Sequence, residues 1–341
     1  MPELRRNIIT DDWVIVATER AKRPEDFTDK NRNVSSSVTV SFKENCPFCD
    51  GNEGLTPPEV YAVRDGASEA NTSGWNVRVV PNKFPALTDV GEVRETTIGI
   101  YNTMSGIGAH EVIVETTDHS KSPALLKESE VNTIVDTYVN RYKKLSERKE
   151  LKYIQIFRNH GKIAGASMEH PHSQIIATPV VPPIVERRLN GAKRYYDHNG
   201  KCVFCEILSE EKRDGRRIVF ENEDFIVFEP FASKTPFETW IMPKKHNMKF
   251  ECMDDSTRTS FAKVLRKTLR AMYAGLSDPA YNFVICTPPV NEGTEDKYSH
   301  WYVEIVPRLT VAAGFEMGTG IYINVATPED TASFLRDNIE K

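Results

Sequence analysis

No run of about 18 apolar residues occurs anywhere in the sequence, and its opening stretch, MPELRRNIITDDWVIVATER, holds no apolar core of the secretory kind. The expectation is a protein that neither spans a membrane nor leaves the cytoplasm. A basic excess is also missing: 44 Lys and Arg face 49 Asp and Glu, for a formal net charge of -5. That removes the electrostatic footprint on which nucleic-acid binding depends. Cysteine is sparse, with six residues. Four of them stand in CxxC pairs, Cys46/Cys49 and Cys202/Cys205, in a chain without a signal peptide, where thiols stay reduced. Metal binding therefore outranks disulfide bonding, and Cys252 and Cys286, which lack partners, read as small buried hydrophobes.

What is present is enough for two modules. The 341 residues, 27% charged and 39% hydrophobic, suit a soluble globular chain of two domains of about 150 residues each. A repeat of about half the chain length supports this. Each half opens on a cysteine knuckle, NCPFCDGNE at 45–53 and KCVFCEILS at 201–209. A β-branched stretch follows, VRVVPNKF at 77–84 and RIVFENEDFIVF at 217–228, and reads as a strand. Next comes a second strand that begins at a glutamate and ends at a histidine, Glu111 to His119 and Glu238 to His246, with the same spacing in both. Apolar residues then recur at three and four through 124–148 and 255–276, as a helix requires, before strands at 153–157 and 281–285. His170 and His300 head the last strand-like run of each unit. The pattern gives an α+β protein of two domains, each a mainly antiparallel sheet with its helix on one face. The segment 180–200, with its prolines, glycines and charges, reads as the linker.

A structural zinc site asks for four nitrogen and sulfur ligands, typically two cysteines on a tight knuckle and two histidines from elsewhere. The repeat offers that set twice: Cys46, Cys49, His119 and His170, then Cys202, Cys205, His246 and His300. Two zinc ions per chain are expected. His110 competes with His119 for the first set but has no counterpart in the second half, where Phe237 stands at its position, so His119 is preferred.

The segment Gly165-Ala-Ser-Met-Glu-His170-Pro-His172-Ser-Gln174 carries the chemistry. A residue before proline is pushed toward extended geometry, and in a strand residues i and i+2 share a face, so His170 and His172 should be neighbours. One can bind metal while the other, as a neutral imidazole, attacks phosphorus. Gln174 on the same face can donate to phosphate oxygens, and Ser167 with its small-residue backbone can approach the same group. In the second half Tyr302 takes the place of His172, so one reactive strip per chain is expected. The competing reading is a strand carrying two metal histidines and nothing more.

Seven ordered motifs carry a resemblance that covers nearly the whole chain: RAKRP at 20–24, CPFC at 46–49, PNKFPAL at 81–87, FRNHG at 157–161, HPHSQ at 170–174, PFETWIMPKKH at 236–246 and GFEMGTG at 314–320. Together they resemble the galactose-1-phosphate uridylyltransferases and their relatives in the histidine triad superfamily. The resemblance implies two tandem histidine-triad-like domains, a catalytic one over 1–185 and a structural one over 195–341. It implies that His172 is the nucleophile, that Gln174 and Ser167 steady the transferred phosphate, and that Arg20, Arg23, Asn82 and Asn159 contact the nucleotide sugar. Arginine suits that task because its fork meets a diphosphate with paired donors. Glu316 matches a residue that in the family binds hexose hydroxyls across a dimer interface, so a homodimer is implied.

The implied reaction is ping-pong. His172 attacks the α-phosphorus of UDP-glucose, glucose 1-phosphate leaves, and galactose 1-phosphate takes the uridylyl group. Two departures bear on the substrates: Ser173 replaces the glycine of the HPHGQ bacterial members, and Thr310-Val311-Ala312-Ala313 stands where those members carry a lysine. Ser173 and the complete second ligand set resemble the ADP-glucose phosphorylase relatives, whose strip is HSHSQ. That gives a second reading, adenylyl transfer from ADP-glucose to phosphate through the same histidine. Hydrolysis of the intermediate is a third. A zinc-knuckle interaction module without catalysis is a fourth, and it leaves His172, Gln174 and RAKRP without a role.

Overall fold

The β-branched runs of both halves become strands of a single sheet. The computed structural model describes residues 1–17, 23–28, 40–66, 68–246, 249–291 and 297–339. The first half contributes β1 (Glu3–Arg6), β2 (Trp13–Val16), β3 (Tyr61–Val63), β4 (Val77–Pro81), β5 (Glu95–Ile98), β6 (Tyr101–Met104), β7 (Ala109–Val114), α1 (Glu128–Ser146), β8 (Tyr153–His160) and β9 (His172–Thr178). Helices α2 (Pro183–Asn199) and α3 (Val203–Asp214) lead into β10 (Ile218–Glu221), β11 (Phe225–Phe228), β12 (Thr239–Pro243), α4 (Asp255–Gly275), β13 (Tyr281–Cys286), β14 (Tyr302–Pro307), α5 (Gly314–Thr319), β15 (Tyr322–Asn324) and α6 (Pro328–Asp337).

Ten strands run in the order β10-β11-β12-β14-β13-β8-β9-β7-β4-β3. Every neighbouring pair is antiparallel. The two halves meet at β8 and β13, where Phe157 opposes Val284. Each half's sheet thus continues into the other's. A second tie joins the two ends of the chain, because β15 pairs in parallel with β2.

Alternation along the strands divides the side chains between two layers. Ile113, Ile156, Ile175, Phe283 and Ile305 face α1 and α4, which lie side by side on one face and bury Val131, Val135, Phe261 and Leu265 against them. Each such apolar side chain, fully removed from water, contributes about 1.5–3 kcal/mol. The opposite face carries two smaller clusters, one around Phe48, Val80, Val112 and Val114 and one around Phe204, Phe228, Trp240 and Tyr302. Both cysteine knuckles sit on this second face. Among the described residues no helix is long and apolar enough to cross a membrane.

Three expectations need correction. The segment 180–200 is not an open linker but helix α2, and its punctuating residues mark the ends: Pro182 and Pro183 stand at the N-cap and first turn, and Gly200 closes it in the left-handed region at φ 68°. Gly191 inside α2 is required by packing, since a Cβ there would lie 1.7 Å from the Ile9 carbonyl oxygen. The stretch 217–228 is two strands, β10 and β11, whose turn is held by Asn222 Oδ1 accepting from the Asp224 and Phe225 amides. Cys252 is exposed in a short 3-10 turn, Phe250–Cys252, whereas Cys286 is buried.

Candidate functional site

Both sets of proposed metal ligands assemble. In each, the four candidate ligand atoms lie within 4.8 Å of one another: Cys46, Cys49, His119 and His170 in the first set, Cys202, Cys205, His246 and His300 in the second. The His170 Nε2–H donates to the Thr116 carbonyl at 2.8 Å, which turns Nδ1 toward Cys46 Sγ (3.7 Å) and Cys49 Sγ (3.6 Å). The second half repeats the device. His300 donates from Nε2 to the Pro243 carbonyl at 3.0 Å, and its buried Nδ1 has no hydrogen-bond partner. A backbone carbonyl that fixes the ring so that the other nitrogen presents a lone pair is the outer shell expected of a metal-bound histidine. Burial lowers the His170 pKa to about 4 and raises that of Cys46 to about 11. The imidazole is thus neutral and ready to ligate, and the thiol must release its proton to solvent for its sulfur to bind a metal. The donor sets fit zinc in both places, as do the His170 and His300 tautomers and, in the second, the unpartnered His300 nitrogen.

His172 opens the strand beyond Pro171 and faces away from α1. Its Nδ1–H donates to the His170 carbonyl at 2.8 Å, leaving Nε2 as the ring's lone-pair nitrogen. Burial lowers its pKa below the usual histidine value, and the Arg158 charge acts in the same direction against the opposing hydrogen bond to the His170 carbonyl. Beside it lies a cavity of about 330 Å³, a size suited to a nucleotide-scale ligand. Phe48, Leu55, Pro57, Val80, Val112 and Met168 contribute to its apolar wall, and Thr56, Asn82, Lys83, Ser167, His172 and Gln174 are its polar groups. The loop that carries Ser167 leaves a 3-10 turn (Lys162–Ala164) through Gly165 at φ 85°, a conformation that favours glycine.

Four of the predicted substrate-handling residues therefore share one cavity: Asn82, Ser167, His172 and Gln174. Arg20 lies outside the described residues. Arg23 is exposed and begins the 3-10 turn Pro24–Phe27, its backbone N–H donating to Asp26. Asn159 does not line the cavity; its Oδ1 accepts from Asn282 of β13 at 2.7 Å, and Asn282 also donates to the Ala164 carbonyl, tying the Ser167 loop to the second half. Glu316 does not line the cavity either, its carboxylate accepting from the Ala313 amide at 2.9 Å.

Ser173 points to the other face. It is fully buried and donates to the Glu115 carboxylate, which also accepts from Tyr138 at 2.9 Å and pairs with Arg158 at 3.0 Å. The serine that departs from the HPHGQ pattern thus belongs to a buried polar network beneath the strip and does not touch the cavity. His110, weighed in the sequence as a metal ligand, joins neither metal set. It lies against Gln174 and Asn82, with Nε2 at 2.8 Å from Gln174 Oε1 and 3.1 Å from Asn82 Nδ2. The signal for its location was its missing counterpart in the second half, the same mark that sets His172 apart.

The corresponding place in the second half is filled. Tyr302 and Glu304 occupy the positions of His172 and Gln174, and Arg188 from α2 lies over the Tyr302 ring at 5.7 Å and donates to Glu304 at 2.7 Å. Only about 40 Å³ remains there, room for water and not for a nucleoside.

The family described as galactose-1-phosphate uridyl transferase, N-terminal domain, matches residues 1–182, and a domain of unknown function, DUF4921, matches 106–341. The chain is 38% identical to an ADP-glucose phosphorylase of Arabidopsis thaliana over 98% of its length and 93% of the relative's. It is 33% identical to a galactose-1-phosphate uridylyltransferase of Thermotoga maritima, over 99% and 98%. The crystal structure of an Arabidopsis thaliana ADP-glucose phosphorylase with bound ADP-glucose superposes with a TM-score of 0.81 at 35% identity, covering 99% of both chains. Fold, likeness and cavity together define a nucleotidyltransferase. The chain belongs to the galactose-1-phosphate uridyl transferase family.

Proposed function

We propose that the enzyme, a hexose-1-phosphate nucleotidyltransferase, works through a covalent nucleotidyl-His172 intermediate. The observation that carries this is the free Nε2 of a neutral, carbonyl-oriented imidazole opening on the cavity. In the first half-reaction Nε2 attacks the α-phosphorus, the P–O bond to the outgoing sugar 1-phosphate breaks with its electron pair, and that phosphate leaves. In the second, an oxygen of the acceptor phosphate attacks the same phosphorus and the P–N bond returns its electrons to Nε2. Gln174 and Ser167 donate to the nonbridging oxygens as charge builds there. Asn82 orients the nucleotide. The apolar wall takes the nucleoside and keeps water off the intermediate. The two Cys2His2 sets would hold zinc as structural ties between each knuckle and its sheet, with no part in the reaction steps.

The division into a catalytic half over 1–185 and a structural half over 195–341 follows from this reading, supported by the filled second site. A homodimer in which Glu316 serves the partner's cavity is supported by the family resemblance and by the absence of Glu316 from the lining of its own cavity. A cytoplasmic setting is supported by the CxxC pairs, which assemble with histidines as metal ligands rather than as disulfides.

Two donor and acceptor pairs have support. Uridylyl transfer from UDP-glucose to galactose 1-phosphate is supported by the family match and the Thermotoga maritima relative. Adenylyl transfer from ADP-glucose to phosphate is supported by the 38% identical relative and by the likeness to the ADP-glucose complex. Initial rates for both donors, each with galactose 1-phosphate and with inorganic phosphate, separate them. Faster turnover of UDP-glucose with galactose 1-phosphate upholds the first; faster turnover of ADP-glucose with phosphate replaces it with the second.

A further inference from the structure

Gln174 can assist the transfer only if its NH2 half, and not its carbonyl half, faces an anionic phosphate. The two halves are nearly the same shape, so something must choose between them. The choice is made one strand away. Ala86 donates its backbone N–H to His110 Nδ1 at 3.0 Å, and a backbone amide cannot accept. Nδ1 is therefore the lone-pair nitrogen and the proton sits on Nε2. That Nε2–H lies 2.8 Å from Gln174 Oε1 and donates to it. Asn82 Nδ2, 3.1 Å away, cannot serve as an acceptor, since its own Oδ1 is turned to the Phe84 amide at 2.9 Å. The strand register brings these groups together: His110 on β7 stands opposite Ile176, one diagonal step from Gln174 on β9, and both side chains lie on the cavity face.

We infer that His110 is a positioning residue, which holds the Gln174 carbonyl and thereby turns the Gln174 NH2 toward the phosphate being transferred. This deepens the proposed reading of the cavity and rests on it. Without the His110 donor the amide is free to rotate by half a turn and present oxygen to a phosphate, which repels it. His110 acts through Gln174 alone, so its worth should vanish when Gln174 is gone.

The test is a double-mutant cycle on the donor half-reaction, followed as exchange of labelled glucose 1-phosphate into the nucleotide sugar. His110→Ala should lower kcat by up to about 100-fold, the low end for loss of one donor to a developing oxyanion, with donor KM little changed. His110→Gln, which keeps an N–H donor, should recover part of the rate, whereas His110→Met should not; this pair also serves if the alanine variant folds poorly. Adding His110→Ala to Gln174→Ala should cost nothing further. Effects that multiply across the pair overturn the inference about His110 alone. Undiminished exchange in Gln174→Ala overturns the reading of the cavity with it.

Discussion

His172 donates its Nδ1 proton to the carbonyl oxygen of His170, two residues back along the same strip, at 2.8 Å. His170 uses the matching device one step further out, donating from Nε2 to Thr116 so that its Nδ1 faces the two thiols. Adjacent histidines on one face are thereby given opposite free nitrogens, one aimed at the cysteine knuckle and one at the cavity. Pro171 between them keeps the backbone extended, which puts both rings on that face.

The lowered pKa of His172 sets the pH profile. The neutral ring is the nucleophile, and a depressed pKa keeps it neutral at pH values where an ordinary histidine, near 6.5, would carry a proton. Activity should therefore be lost only as pH falls through the depressed value. The acid limb of kcat/KM for the donor half-reaction should lie below about 6.5; a limb centred above that value contradicts the environment described for the ring.

Two zinc ions should copurify with each chain when no metal is added, measured by elemental analysis. His170→Ala and Cys202→Ser should each remove one, and a strong chelator should lower the thermal midpoint of the native protein. A content well below one zinc per chain would contradict the assignment of both sets.

Ser173→Ala deletes a donor to the buried Glu115 carboxylate without touching the cavity. It should cost about 1–3 kcal/mol of stability in urea denaturation and leave donor KM unchanged. Arg158→Met leaves Glu115 without its buried counter-charge and should cost more, about 3–5 kcal/mol. A change of donor preference in Ser173→Ala with stability intact would show that the serine acts on the substrate after all.

The repeat made the architecture legible, because in each half a cysteine knuckle, a strand placed by the matching glutamate-to-histidine offset (β7, β12) and a helix (α1, α4) follow in the same order. Its fusion into one sheet was not legible: the β8 and β13 edges pair only with each other's backbones, and backbone pairing leaves no residue pattern to read. Helix α2 was hidden because the prolines and glycines that suggested a linker are its start, its end and its contact with Ile9. Within the site, spacing alone put His172 and Gln174 on one face, while the partners of Asn159 and Ser173 were not legible. Asn159 sits where the two halves join and is used there to hold a loop, and Ser173 is turned by the strand's alternation toward α1.

Mass spectrometry of the enzyme treated with nucleotide sugar in the absence of acceptor bears most directly on the central claim. The account predicts a nucleoside monophosphate adduct on the peptide that contains HPHSQ, at His172. His172→Ala should lack that adduct, keep both zinc ions, still bind the donor, and lose orders of magnitude in glucose 1-phosphate exchange. An adduct on another residue, or near-normal exchange by His172→Ala, would contradict it.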